Sequence, residues 1–150
     1  QRAKVVGHYV NSILARYEAN DNGFDEAVML DATGLVAEGT GENIFAIKNG
    51  TVKTPSVTNI LAGITRRTAI QMLEHMGYTV QETLFGRDAL YVADEVFMTG
   101  TAAEITPVRE VDRRPVGEGK RGPITHELQT LYADGVRGRV DWMRPMITTY

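Results

Sequence analysis

Apolar and polar positions alternate along the chain in a way that separates helical from extended segments. Val10, Ile13, Leu14 and Tyr17 recur at helical spacing and Asn20-Asp21-Asn22-Gly23 supplies a stop, which predicts a helix over Tyr9 to Asn20 that begins near Gly7. Glu26 to Asp31 is a mostly apolar run too short for a helix and closed by Ala32-Thr33-Gly34, which predicts a buried strand and a turn. Ile44 to Lys48, Asn49-Gly50 and Thr51 to Thr54 together predict a hairpin, because Asn-Gly readily adopts the positive φ values of a type I′ turn. After Gly63-Ile64-Thr65, a helix is predicted over Arg66 to Met76, with Ala69, Ile70, Leu73 and Met76 on one face and Gly77 as its end. Tyr78 to Leu84, Glu95 to Met98 and Ile105 to Val111 read as strands, the last with Pro107 at an edge or a bend. Pro123 to Gly135 reads as a helix with proline in its first turn, and the tail around Trp142, Pro145 and Met146 as irregular. Strands and helices mix without a regular βαβ period, so the fold class is α+β, an irregular α/β arrangement.

Composition narrows the function. With 150 residues and 43% hydrophobic content, the chain can build the core of one ordinary domain. The net charge of -3 is spread over 16 basic and 19 acidic residues, leaving no basic stripe to neutralise a nucleic-acid backbone. The chain lacks cysteine, which removes disulfides, thiolate metal sites and cysteine nucleophiles and points to a cytoplasmic compartment. No apolar run approaches the roughly 20 residues of a membrane span, and Gln1-Arg2-Ala3-Lys4 precedes no secretory hydrophobic region. The absence of an initiator Met, with helical patterning so close to Gln1, leads us to expect a piece of a longer chain.

Candidate chemistry is sparse in some classes. His8, His75 and His126 are isolated, without a metal-ligand spacing, and no Gly-x-Ser-x-Gly elbow accompanies the two serines, Ser12 and Ser56. Gly117-Glu118-Gly119-Lys120-Arg121-Gly122 matches the dinucleotide-binding glycine pattern. Only 28 residues follow it, with no strand-ending acid, so a glycine-rich surface turn is the better reading. Three other segments place glycine and threonine beside acids: Glu38-Gly39-Thr40-Gly41-Glu42-Asn43, Gly63-Ile64-Thr65, and Thr99-Gly100-Thr101-Ala102-Ala103-Glu104. Amides opening the helix after Gly63 would meet a phosphate, aided by the Thr65 hydroxyl, and Gly100-Thr101-Ala102 could do the same from another side. Taken singly, each has a plainer role: Thr65 as a helix cap, Glu38 as a solvated turn residue.

Taken together, Lys4-x-x-Gly7-x-Tyr9, Glu38-Gly39-Thr40-Gly41-Glu42-Asn43-Ile44-Phe45, Gly63-Ile64-Thr65-Arg66 and Gly100 to Val108 resemble branched-chain aminotransferases of the fold-type IV pyridoxal-phosphate enzymes in content, order and spacing. The resemblance implies the larger, cofactor-carrying C-terminal domain, a pseudo-barrel of strands surrounded by helices. It implies that Lys4 is the Schiff-base lysine and general base, that Tyr9 bonds the phenolic oxygen of pyridoxal 5'-phosphate, and that Glu38 faces the pyridine nitrogen and keeps it protonated. Ile64, Thr65 and Thr101 would hold the phosphate, and Thr101 and Ala102 the substrate carboxylate. The implied reaction moves the amino group of L-leucine, L-isoleucine or L-valine to 2-oxoglutarate. The family also carries a small N-terminal domain, which contributes a phosphate-binding arginine and much of the side-chain pocket, and forms homodimers or higher homo-oligomers. Rival readings are a D-amino-acid or (R)-amine transaminase, a 4-amino-4-deoxychorismate lyase, and a non-catalytic cofactor-binding domain.

Overall fold

The spacing between Tyr9 and Asn20 produces a helix, α1 (Tyr9–Asp21), preceded by a 3-10 turn over Val6–His8. The computed structural model describes residues 4–58 and 60–148, so the reading of Gln1-Arg2-Ala3 as a non-secretory start lies outside the described residues. The apolar stripe of α1 faces outward: Val10, Ile13, Leu14 and Tyr17 are each at least half exposed, and α1 buries no residue. Its fastening is polar and peripheral. The Arg16 guanidinium pairs with the Glu26 carboxylate, and Arg113 Nη2 donates to Asn22 O at 3.1 Å.

The strand expected over Glu26 to Asp31 is shorter and less enclosed than predicted. β1 (Val28–Leu30) has only half-buried and exposed positions, because it pairs on one side alone with β2 (Val36–Gly39) in a two-stranded antiparallel sheet. The predicted hairpin forms, as β3 (Asn43–Lys48) and β4 (Thr51–Thr54). Asn49 and Gly50 take φ of 49° and 74°, the positive pair that a type I′ turn needs.

From β4 the chain crosses through α2 (Ile64–His75) and returns as β5 (Thr79–Glu82), parallel to β4. That is one βαβ unit within an otherwise antiparallel five-stranded sheet, whose remaining strands are β6 (Glu95–Gly100) and β7 (Glu104–Val108). The order is β5-β4-β3-β6-β7, which leaves Pro107 in an edge strand, where a residue without an N–H is tolerated. The short α3 (Asp88–Tyr91) and the two-residue pair β8 (Glu110–Val111) and β9 (Arg114–Pro115) flank the sheet. The continuous strand read through Ile105 to Val111 therefore divides after Val108. α4 (Pro123–Gly135) follows with the predicted limits, and a 3-10 helix over Asp141–Met146 orders part of the tail.

Both faces of the central strands are covered, which explains why β3 and β6 read as unbroken apolar runs. Phe45, Ile47 and Phe97 point to one face and pack with Leu73 of α2, Leu128 of α4 and Met143. Phe45 and Phe97 stack there at 4.7 Å with an 8° interplanar angle. Ile44, Ala46, Val96 and Met98 point to the other face, against Phe85 and Leu90. The glycine-rich segment from Gly117 is a turn, with Gly117 and Gly119 at φ of 54° and 71°, and no dinucleotide-binding sheet surrounds it among the described residues. Among those residues, too, no helix is long and apolar enough to cross a membrane.

Candidate active site

The site is organised by the tight turn between β2 and β3. Gly39 N donates to Glu42 O at 2.6 Å, closing Thr40-Gly41 into a turn and setting Glu38 and Asn43 at its two feet. Gly39 and Gly41 belong to that turn, and a Cβ at Gly39 would press on the Glu42 carboxylate and carbonyl at 3.1 and 3.2 Å. Beside the turn lies a groove that gathers Lys4, Tyr9 and Glu38 from three separate parts of the sequence, together with Ser12, Glu42 and Leu61.

Glu38 is half-buried. Its Oε2 accepts hydrogen bonds from Leu61 N at 3.0 Å and Asn43 Nδ2 at 3.2 Å. Burial pushes its carboxyl above the ordinary range, and the Leu61 amide opposes that rise by stabilising the charged form. A half-buried acceptor facing a groove suits a protonated heterocyclic nitrogen better than a solvated turn.

At the start of α2, Gly63 is the N-cap residue and supplies no side chain to cap the helix. Thr65 lies inside the helix and 8% exposed, and its hydroxyl makes no cap bond, so the plain capping reading of Thr65 fails. The helix therefore presents its first amides, at the strongly exposed Ile64 and at Thr65, without a side-chain acceptor from Gly63, an arrangement fit for an anion. Arg66, next in the same motif, does not face the groove. It is 4% exposed and donates to Thr54 Oγ1, Pro55 O and Glu82 Oε2, pinning the helix start to β4 and β5.

Thr101 and Ala102 are exposed in the turn after β6. They do not line the groove itself. Ile64 and Thr65 are likewise outside its lining, and both pairs border it through intermediaries. Gly63 lies against Asn43 Oδ1, so tightly that a Cβ there would collide with it, and a Cβ at Gly100 would meet Glu42 Cγ at 3.3 Å.

Spacing gave no sign of the contribution of Glu26, because its partners are ten and fourteen residues away. Its Oε1 accepts Thr40 N at 3.2 Å and Thr40 Oγ1 at 2.5 Å while its Oε2 takes Arg16, so one carboxylate ties α1 to the β2–β3 turn. The Glu42 carboxyl is pushed up, first by burial and next by the nearby Glu26 carboxylate, against the Gly41 amide that donates to it at 3.1 Å. A carboxyl whose folded value lies above its ordinary 4.5 binds protons more readily in the folded state. Its contribution to stability is thus fullest below 4.5 and is lost as pH rises through the folded value. Glu42→Gln removes that loss. In thermal unfolding of the ligand-free protein, the melting temperature of the variant relative to the parent should climb as pH rises through the range above 4.5; a constant difference would refute the linkage.

A family model for amino-transferase class IV matches residues 1–111. The branched-chain-amino-acid aminotransferase of Pseudomonas aeruginosa is 54% identical over 140 residues, which are 93% of this chain and 46% of that protein. The Escherichia coli K12 protein of the same name is 47% identical over 131 residues, 87% of this chain and 42% of that one. Among solved structures, the branched-chain amino acid aminotransferase from Thermobaculum terrenum, in its PLP-form, superposes with a TM-score of 0.93 at 43% identity, covering 96% of this chain and 48% of that one. The chain thus spans about half the length of the relatives it matches. With the family model matching most of its length, and with Lys4, Tyr9 and Glu38 gathered in one groove, the chain belongs to the amino-transferase class IV family.

Proposed function

We propose that this chain is the cofactor-holding part of a branched-chain-amino-acid aminotransferase, moving the amino group of L-leucine, L-isoleucine or L-valine to 2-oxoglutarate with pyridoxal 5'-phosphate. The observation that carries the reading is the convergence of Lys4, Tyr9 and Glu38 on one groove, beside a helix start uncapped by its own N-cap residue. Relatives of that name at 44–54% identity support the substrate class.

When bound, pyridoxal phosphate supplies the electron sink for the pair released from the substrate Cα–H bond. Lys4 Nζ would hold the cofactor and, as a free amine, would serve as the base that takes and returns the substrate Cα proton. Tyr9 Oη donates to the phenolic oxygen. Glu38 holds a proton on the ring nitrogen through charge complementarity. The Ile64 and Thr65 amides, with the Thr65 and Thr101 hydroxyls, hold the phosphate at the positive end of α2, and the Thr101 and Ala102 amides orient the substrate carboxylate. An arginine closing the phosphate site and most of the side-chain pocket are assigned to a small N-terminal domain, and a second copy completes the assembly as a homodimer or larger homo-oligomer. The cysteine-free composition supports a cytoplasmic setting.

The test is turnover by the full-length protein. L-leucine, L-isoleucine and L-valine should each yield glutamate from 2-oxoglutarate, whereas activity confined to D-amino acids or amines would replace this reading with a rival of the same fold.

A further inference from the structure

Asn43 makes contacts that neither the sequence motifs nor the proposed roles account for. It opens β3, is 5% exposed, and its backbone is fixed by pairing with Thr99 of β6. Its amide nitrogen has two hydrogens and two partners: Glu38 Oε2 at 3.2 Å and Leu61 O at 2.9 Å. Leu61 N donates in turn to the same Glu38 oxygen at 3.0 Å. A closed ring results, in which Asn43 and the Leu61 peptide grip one oxygen of Glu38. Its other oxygen, Oε1, accepts no hydrogen bond among the described residues. On the opposite side of the Asn43 amide, Oδ1 rests against Gly63, the N-cap of α2.

We propose that Asn43 is a positioning residue that fixes Glu38 with Oε1 free to face the cofactor's ring nitrogen, and sets that carboxylate in register with the helix start that receives the phosphate. The inference rests on the reading of Glu38 given above. Its physical logic is the donor inventory of an amide. Asparagine offers two N–H groups without charge, so it can serve a carboxylate and a carbonyl at once. An aspartate of the same shape would set an acceptor against both and a like charge against Glu38. The Leu61 amide on Oε2 favours the ionised form of Glu38, countering the burial that opposes it, and the Asn43 N–H that reaches the same oxygen at 3.2 Å acts in the same direction. Only the ionised carboxylate holds the ring nitrogen protonated. The close fit of Gly63 adds that the two anchor points of a rigid flat ligand, nitrogen and phosphate, are both referenced to one side chain.

The experiment is 15N NMR of the full-length holoenzyme loaded with ring-15N pyridoxal phosphate, followed against pH in the parent, Asn43→Ala, Asn43→Leu and Glu38→Gln. In both Asn43 variants the ring nitrogen should lose its proton at least about one pH unit earlier than in the parent, with kcat down roughly tenfold, the rate equivalent of about one unit, and KM changed far less. The other ionisable groups of the groove, Lys4, His8, Tyr9 and Glu42, are intact in these proteins, so the shift reports on Glu38. An unshifted midpoint in the Asn43 variants, with Glu38→Gln shifted, would show that Asn43 merely packs. An unshifted midpoint in Glu38→Gln would instead overturn the assignment of Glu38 itself. If Asn43→Ala and Asn43→Leu do not retain cofactor, Asn43→Ser, which keeps one donor, decides: an intermediate midpoint upholds the inference and the parent's midpoint rejects it.

Discussion

Replacing Lys4 by alanine in the full-length protein is expected to lower turnover by about 10^4-fold or more, because general base catalysis alone contributes roughly 10^2 to 10^4 and the covalent anchor disappears with it. Lys4 lies at the mouth of the groove, exposed, two residues before the 3-10 turn that leads into α1. Among the described residues it makes no hydrogen bond or ion pair on which the fold depends, so the melting temperature of the ligand-free variant should match that of the parent. The two measurements together make the result decisive. The parent loaded with pyridoxal phosphate should show a visible absorption band that borohydride abolishes while leaving the cofactor covalently fixed; Lys4→Ala should show neither the band nor the fixation. Retention of a reducible, covalently fixed cofactor by the variant would move the anchor to another lysine, with Lys48, Lys53 and Lys120 as the alternatives in this chain.

The largest effect on stability is expected at Glu95. This residue begins β6, is 6% exposed, and serves as the missing cap of α4, whose own N-cap, Gly122, has no side chain. Glu95 Oε1 accepts Ile124 N at 2.9 Å, and Oε2 accepts Thr125 N at 2.7 Å and Thr125 Oγ1 at 2.6 Å. Alanine at 95 leaves these donors buried or half-buried without an acceptor. At about 1–3 kcal/mol for each orphaned group, discounted for non-additivity, the loss should come to about 3–5 kcal/mol in chemical denaturation. Glutamine, which keeps one accepting oxygen, should recover part of it. Gly122→Ala is a second route to the same cap, since a Cβ there would collide with the Glu95 carboxylate. A loss below about 1 kcal/mol in Glu95→Ala would mean that water caps the helix adequately.

That geometry also explains a glycine the sequence made ambiguous. Gly122 completes the Gly-x-Gly-x-x-Gly pattern, yet its lack of a side chain makes room for a carboxylate of this same chain. The bare pattern cannot reveal this, because Glu95 stands 27 positions earlier and approaches only once β6 and α4 are packed. Local chemistry was legible where a few adjacent residues decide the outcome: Asn49-Gly50 for the hairpin, Pro123 for the start of α4, Gly77 for the end of α2. It failed where pairing decides. Val36 to Gly39 carries glutamate and glycine and has no strand pattern of its own, and becomes β2 by pairing with β1. The four-residue α3 is too short to show a period. In the site, Lys4, Glu38, Thr65 and Thr101 stood out through their combined resemblance to a family, whereas Glu26 and the double role of Asn43 depend on contacts that no spacing encodes.

One consequence follows from the outward-facing stripe of α1. Within this chain taken alone, a helix that buries no side chain draws little cooperative support from the core, so its backbone amides belong to the part that opens at the lowest free energy. Lys4 and Tyr9 lead into and begin this weakly protected element, whereas Glu38, Asn43 and the start of α2 belong to the well-protected sheet and its crossover. A ligand joined to Lys4 at one end and to α2 at the other would therefore act as a tether across that gradient, lending α1 some of the sheet's resistance to hydrogen exchange.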